Sequence, residues 1–356
     1  MVQIIKKVLI AAGMLYSLNN DLATAQIKNV ESPKKFEQIS STDSTIKEEF
    51  HYALELLDLE KQAGFNVRSS DYKTLDSIVN DLGRYVLFGG ADEKYKRMQA
   101  INNLKNIDLT LKKNNFRYKD NPGFLFSDAL KTKNLNSFHF LVLYLEVASK
   151  KNFQIIPMKI GEHFFAKYAL DSLNFINWET LFGIEKSESL YKKLAKNKEI
   201  KPLSRDEFLS RGYRAIGFSL NKNKQFKESI EYLNKAIEID SLDPIAYKFL
   251  GDSYNALGDD NNSLENYSMA ISLNESFLDA YKARAEIFYK KKNFQKAFED
   301  YDKAIKLSSE NPEFYKNRGD VYSLLHQKTE NIWKEKKEPK QTREDYEKAL
   351  ELIFRK

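Results

Sequence analysis

The chain has no cysteine in its 356 residues. That excludes disulfides, thiolate metal sites and any thiol nucleophile. Histidine is scarce as well. The four present are His51, His139, His163 and His326, and none stands in His-x-x-x-His or His-Glu-x-x-His spacing. A protein-built zinc site is therefore not expected, and neither a metal nor a cofactor is assigned. No strong charge excess exists: 57 basic residues face 51 acidic ones. With no nucleic-acid-reading motif either, a nucleic-acid partner is excluded. A long apolar run is also missing. The run from Val8 to Leu18 is too short to span a bilayer comfortably, so no stable membrane span is expected.

What is present fits a globular protein, with 42% hydrophobic and 13% aromatic residues, in two or three domains. Residues 1–25 read as a secretory signal. Lys6-Lys7 open it, the short apolar run follows, and Ala23-Thr24-Ala25 offers small residues for cleavage before Gln26. The expected location is therefore periplasmic or extracellular; the alternatives are an uncleaved membrane anchor or an ordinary N-terminal helix. Residues 26–43 are polar and read as a linker.

A first domain is expected over 44–195. Helical periodicity runs through Ile46, Phe50, Ala53, Leu54 and Leu57, then Tyr72 to Leu82 with Ser70 or Asp71 as cap, then Tyr95 to Leu104. Gly89-Gly90 and Asn121-Pro122-Gly123 are breaks. A short helix over Phe124–Leu130 leads to a longer one with Phe138, Leu141, Val142, Leu145 and Ala148 on its apolar face. Three strands follow: Phe153–Ile160, then His163–Ala169 with strict alternation, then Phe175–Thr180. Residues 184–204 are charged and read as a boundary.

From Ser210 onward the sequence repeats with a period of 34. Tyr213, Tyr247, Tyr281 and Tyr315 hold that spacing, as do the small residues Gly217, Gly251, Ala285 and Gly319. Leu233, Tyr267 and Tyr301, then Ala236, Ala270 and Ala304, mark the second helix of each unit. Pro244 and Pro312 open units, where a first helical turn tolerates proline. A fourth unit resumes at Tyr346 and Ala349 after an insertion near 327–341 that contains Trp333. The pattern resembles the tetratricopeptide repeat, which implies an all-α solenoid of about four helix pairs over 205–356, with first helices lining its groove.

In that groove the fifth position of each unit is Arg214, Lys248, Lys282 and Lys316. The ninth is Phe218, Asp252, Glu286 and Asp320. Two readings stay open. The basic ladder fits a protein or peptide partner offering a carboxylate or an acidic segment, with Tyr289 and Asn255 on the same face. Alternatively Lys248–Asp252, Lys282–Glu286 and Lys316–Asp320 are ordinary i,i+4 pairs, each worth about 0.2–0.5 kcal/mol.

The first domain has a resemblance of its own. Leu130-Lys-Thr-Lys, Leu143-Tyr144-Leu145, Gly161-Glu-His163-Phe-Phe and Asn177-Trp-Glu179-Thr are similar to the transglutaminase-like domain of bacterial proteins that join it to tetratricopeptide repeats. The resemblance implies an α+β domain, helices plus a small antiparallel sheet, with a papain-like triad. Ser137 falls on the cysteine position, His163 on the histidine and Glu179 on the acid. A thiol at a helix N-terminus is driven toward thiolate, whereas an alcohol gains little from the same field and needs a base and an oxyanion hole. The expectation is thus a domain that has lost its catalysis. The alternative is a hydrolase or acyl transferase using Ser137, His163 and Glu179. Each residue also has an ordinary role: Asn136 or Ser137 as helix cap, His163 as a polar strand start, Glu179 as its partner, and His139 on the helix surface.

Overall fold

The computed structural model describes residues 51–81, 92–119, 125–151, 155–160, 163–170, 175–180, 184–195, 199–329 and 340–354. The signal-like segment, the linker, residues 44–50, the Gly89-Gly90 break, the Asn121-Pro122-Gly123 turn and Trp333 lie outside them. The chain divides into two compact units. One comprises Met1–Leu54, Tyr72–Asp120 and Lys133–Leu203, and the other Glu55–Asp71, Asn121–Thr132 and Ser204–Lys356.

In chain order the elements begin with α1 (Tyr52–Gln62), α2 (Ser69–Asp81), α3 (Glu93–Lys113), β1 (Arg117–Tyr118), α4 (Phe126–Thr132) and β2 (Asn134–Leu135). Then come α5 (Ser137–Lys151), β3 (Ile155–Ile160), β4 (His163–Ala169), β5 (Phe175–Glu179), β6 (Ile184–Glu185), α6 (Glu188–Ala195) and β7 (Ile200–Pro202).

In the first unit, α5 is the core. Almost every residue from Phe140 to Ala148 is buried, so the helix is covered on more sides than a single apolar stripe suggests. Its Tyr144 hydroxyl accepts from Trp178 Nε1 at 3.0 Å and donates to the Leu104 carbonyl at 3.4 Å, tying α5 to β5 and α3. Glu146, fully buried, accepts the Ala53 N–H at 3.0 Å in the first turn of α1, and His51 Nδ1 lies 3.2 Å from its other oxygen. A buried carboxylate is tolerated where helix-terminal donors satisfy it. The five-stranded sheet has order β6-β5-β4-β3-β7 with every pairing antiparallel. One face meets α5. The other holds Met158, Ile160 and Phe165 against Tyr191 and Ala195 of α6. The stretch read as a charged boundary therefore carries α6 and the two edge strands β6 and β7.

The second unit holds four helix pairs: α7 (Arg205–Lys222) with α8 (Phe226–Ile239), α9 (Pro244–Ala256) with α10 (Asp260–Leu273), α11 (Leu278–Lys290) with α12 (Phe294–Leu307), and α13 (Pro312–Thr329) with α14 (Lys340–Phe354). Pro244 and Pro312 do open α9 and α13. Ser204 and Glu207 form a capping box on α7. Within each of the first three pairs the turn needs a left-handed residue, met by Lys224 (φ 62°), Gly258 (φ 81°) and Lys292 (φ 57°), again 34 apart. The close helix crossing is built from Gly217, Gly251 and Gly319, whose carbonyls accept from Ser229 at 2.7 Å, Ser263 at 2.9 Å and Thr342 at 3.5 Å. A Cβ on Gly251 would stand 2.6 Å from the Tyr267 ring. The third pair substitutes both partners at once, with Ala285 against Ala297 in its core. Tyr346 follows Tyr301 by 45 positions rather than 34, so the insertion adds 11 residues.

This unit also recruits two helices from far upstream. Leu59 of α1 and Leu125 just before α4 form a buried cluster with Ile216 and Leu220 of α7. Gly212 lets α1 approach, since a Cβ there would meet Leu56 Cδ2 at 2.8 Å. Glu60 of α1 accepts the Phe126 and Ser127 N–H groups at 2.5 and 2.9 Å, capping α4. Burial pushes its carboxyl up to about 7, against the pull of those donors. The continuous first domain expected over 44–195 is thus interrupted twice by segments that pack with the repeats.

Candidate functional site

Asn136, not Ser137, caps α5: its Oδ1 accepts from His139 N–H at 2.8 Å. His139 is buried rather than on the helix surface, because α5 is enclosed. His163 opens β4 and Glu179 closes β5. The structure brings these two together, with His163 Nε2 at 2.8 Å from Glu179 Oε2. Both the charge of Glu179 and a side-chain hydrogen bond to it act on the ring. Burial disfavours the imidazolium, but Glu179 outweighs it and holds His163 above its ordinary range. Tyr191, which the sequence did not flag, completes the cluster. Its hydroxyl donates to Glu179 Oε2 at 3.5 Å, and its ring stacks on Phe165 at 3.9 Å. Burial and the Glu179 charge push its phenol upward.

Ser137 stands apart from this pair in its bonding. No hydrogen bond joins it to His163 among the described residues. Phe138, the next residue, meets Phe164 edge-on at 5.5 Å. Phe164 points to the α5 face, whereas His163, Phe165 and Glu179 share the face that carries α6.

The first helices of the repeats present the second candidate. Lys248 Nζ lies 2.7 Å from Asp252, and Lys316 Nζ 3.5 Å from Asp320, both as i,i+4 pairs. Lys282 sits 3.9 Å from Glu286 but closer, at 2.8 Å, to Glu313 on the next first helix. Glu313 in turn holds the Lys282 ammonium above its usual range. The second helices reach in as well: Tyr267 donates to Asp252 at 2.8 Å, and Tyr346 donates to Asp320. Asn255 is half-buried and Tyr289 exposed.

Arg214 leaves the expected ladder. It is buried, and its Nη1 binds Asp243 Oδ2 at 2.6 Å. Asp243 also caps α9 by accepting from Ile245 and Ala246 N–H. The fifth position of the first unit is therefore structural, because its long side chain turns toward the next helix start. Phe218 likewise packs on Phe249, ring centroids 4.6 Å apart, instead of offering an acid. Sequence reading missed a second series, Arg284 and Arg318, also 34 apart. Arg284 grips Asp300 with two bonds of 2.8 and 2.7 Å; Arg318 grips Asp345 the same way and adds Asp302 at 2.6 Å. Their common spacing was the available signal. Among the described residues no group of three or more His, Asp or Glu is placed to hold a metal ion.

Residues 285–325 match the family model described as TPR repeat, and residues 211–241 the one described as tetratricopeptide repeat. Tetratricopeptide repeats are therefore present in the second unit. No curated protein matches the chain. Among solved structures, MamA is similar at 21% identity and a TM-score of 0.37, over 46% of this chain and 85% of that one. The first TPR domain of the human RPAP3 protein is similar at 20% and 0.33, over 35% and 97%. YrrB, described as a TPR protein with an unusual peptide-binding site, is similar at 15% and 0.34, over 40% and 68%.

Proposed function

We propose that the chain is an exported protein-interaction module whose repeats hold a protein or peptide segment along their first helices. One observation carries this reading. The first helices α9, α11 and α13 carry polar side chains held by their neighbours: Lys282 pairs with Glu313 from α11 to α13, and Asp252 and Asp320 are held from the second helices by Tyr267 and Tyr346. Side chains held by their neighbours lose less freedom on binding, which is what a recognition surface requires. Export rests on the N-terminal sequence, and N-terminal sequencing of secreted material is expected to start at Gln26. The groove reading is tested with the full chain and a pool of labelled peptides of mixed charge. Binding is expected to fall in Tyr289→Ala plus Asn255→Ala with the helical spectrum unchanged. Binding that ignores these variants would count against it.

In this reading the first unit is a transglutaminase-like domain without catalysis. The helix-then-three-strands order of 137–179 and the His163–Glu179 pair support the likeness, and the serine at the thiol position supports the loss. The same ion pair is the one observation that favours the second reading, a serine-dependent hydrolase or acyl transferase. Labelling by a fluorophosphonate that disappears in Ser137→Ala would establish that reading; no labelling is expected.

A further inference from the structure

The face that the repeats offer a partner carries more acid than base. Along α9, α11 and α13 it presents Asp252, Asp279, Glu286, Glu313 and Asp320 against Lys248, Lys282 and Lys316. Each ammonium is already engaged by a carboxylate of the protein: Lys248 by Asp252, Lys282 by Glu313, and Lys316 by Asp320. Arg214, which would have added a cation, is buried on Asp243. The surplus gathers at the middle of the face. Glu286 is half-exposed, and its nearest ammonium, 3.9 Å away, is held closer by Glu313. Asp279 is exposed one turn before Lys282.

The carboxylates of three successive first helices also feel one another. Burial, then Glu313 and Asp252, raise the Glu286 carboxyl against the pull of Lys282 and Lys248. Charges on α9 and α13 thus both act on Glu286 of α11. Tyr289, three residues beyond Glu286, is 41% exposed and offers a ring to an aliphatic stem or a cation. An acidic segment would have to strip each lysine from its present partner and enter a field of its own sign; a basic one meets surplus carboxylate.

We propose that this face binds a lysine- or arginine-bearing segment of a partner protein, with Asp279, Glu286 and Glu313 as its charge contacts and Tyr289 beside them. The inference rests on the reading of the repeats as a peptide-binding module, and it reverses the charge preference that the lysine ladder suggested.

The test uses the full chain and two pools of fluorescein-labelled peptides, equal in length and apolar content, one rich in Lys and Arg and the other in Asp and Glu. Anisotropy at low ionic strength is expected to show the basic pool binding at least about tenfold tighter, with the advantage shrinking as salt is added. Glu286→Lys plus Glu313→Lys is expected to reverse the order. Glu286→Gln plus Glu313→Gln, which adds no repulsion to Lys282, is expected to remove the preference with the helical spectrum intact. Tighter binding of the acidic pool, or a preference unchanged in both variants, overturns the charge inference alone. Binding of neither pool by the folded chain overturns the peptide-binding reading, and this inference with it.

Discussion

Arg214 and Lys248 occupy the same position of neighbouring repeats yet have opposite fates. Arg214 and Asp243 are buried together, so removing one strands the other away from water. Arg214→Leu is expected to cost about 3 kcal/mol in urea denaturation of the whole chain, whereas Lys248→Ala changes stability by less than about 0.5 kcal/mol. Equal effects would show that Arg214 is not the structural member. His163 makes a pH prediction. Its folded value lies above the ordinary 6.5 because Glu179 holds the imidazolium. The contribution is then full below 6.5 and is lost as pH rises through the raised folded value. Stability measured by denaturation is expected to fall across that window, and His163→Gln to flatten this part of the slope. An unchanged slope in the variant would mean that His163 is not the titrating group.

At the scale of the element, two of the repeat turns carry a side chain in the left-handed region. Lys224 and Lys292 adopt the left-handed conformation that Gly258 adopts freely at the equivalent place. A side chain there costs roughly 1–2 kcal/mol, partly offset by the looser unfolded chain of glycine. Lys224→Gly and Lys292→Gly are each expected to raise the denaturation midpoint, with a gain in unfolding free energy of no more than about 1 kcal/mol. A lower midpoint in both would contradict this. The 34-residue period made these helix pairs legible, because close crossings force small residues and long ones into fixed register. The left-handed turns were hidden, since lysine does not advertise a positive φ. The edge strands β6 and β7 were hidden too, because two or three residues cannot display an alternation. His163 and Glu179 were singled out by the resemblance, and the structure pairs them because both lie on one face of adjoining strands.

At the scale of the molecule, the sequence separates a helix-and-strand region from a repeat region, but not where contacts divide it. The packing of Leu56 and Leu59 against Gly212 and Ile216 links residues too far apart for any local pattern. The cap that Glu60 places on α4 is equally non-local. Both bring 55–71 and 121–132 into the unit that carries the repeats. The same limit applied to the groove, where Lys248, Lys282 and Lys316 were visible in the sequence, but the pull of Glu313 on Lys282 across helices was not.

The measurement that bears most directly on the function is site-resolved photocrosslinking of the full chain to the mixed-charge peptide pool. A photoreactive phenylalanine analogue replaces Tyr289 on a first helix or, separately, Phe298 on a second helix. Peptide is expected to attach at 289 and not at 298, with attachment at 289 competed by unlabelled peptide. Attachment at 298 alone, or equal attachment at both that excess peptide does not compete, would contradict a binding face on the first helices.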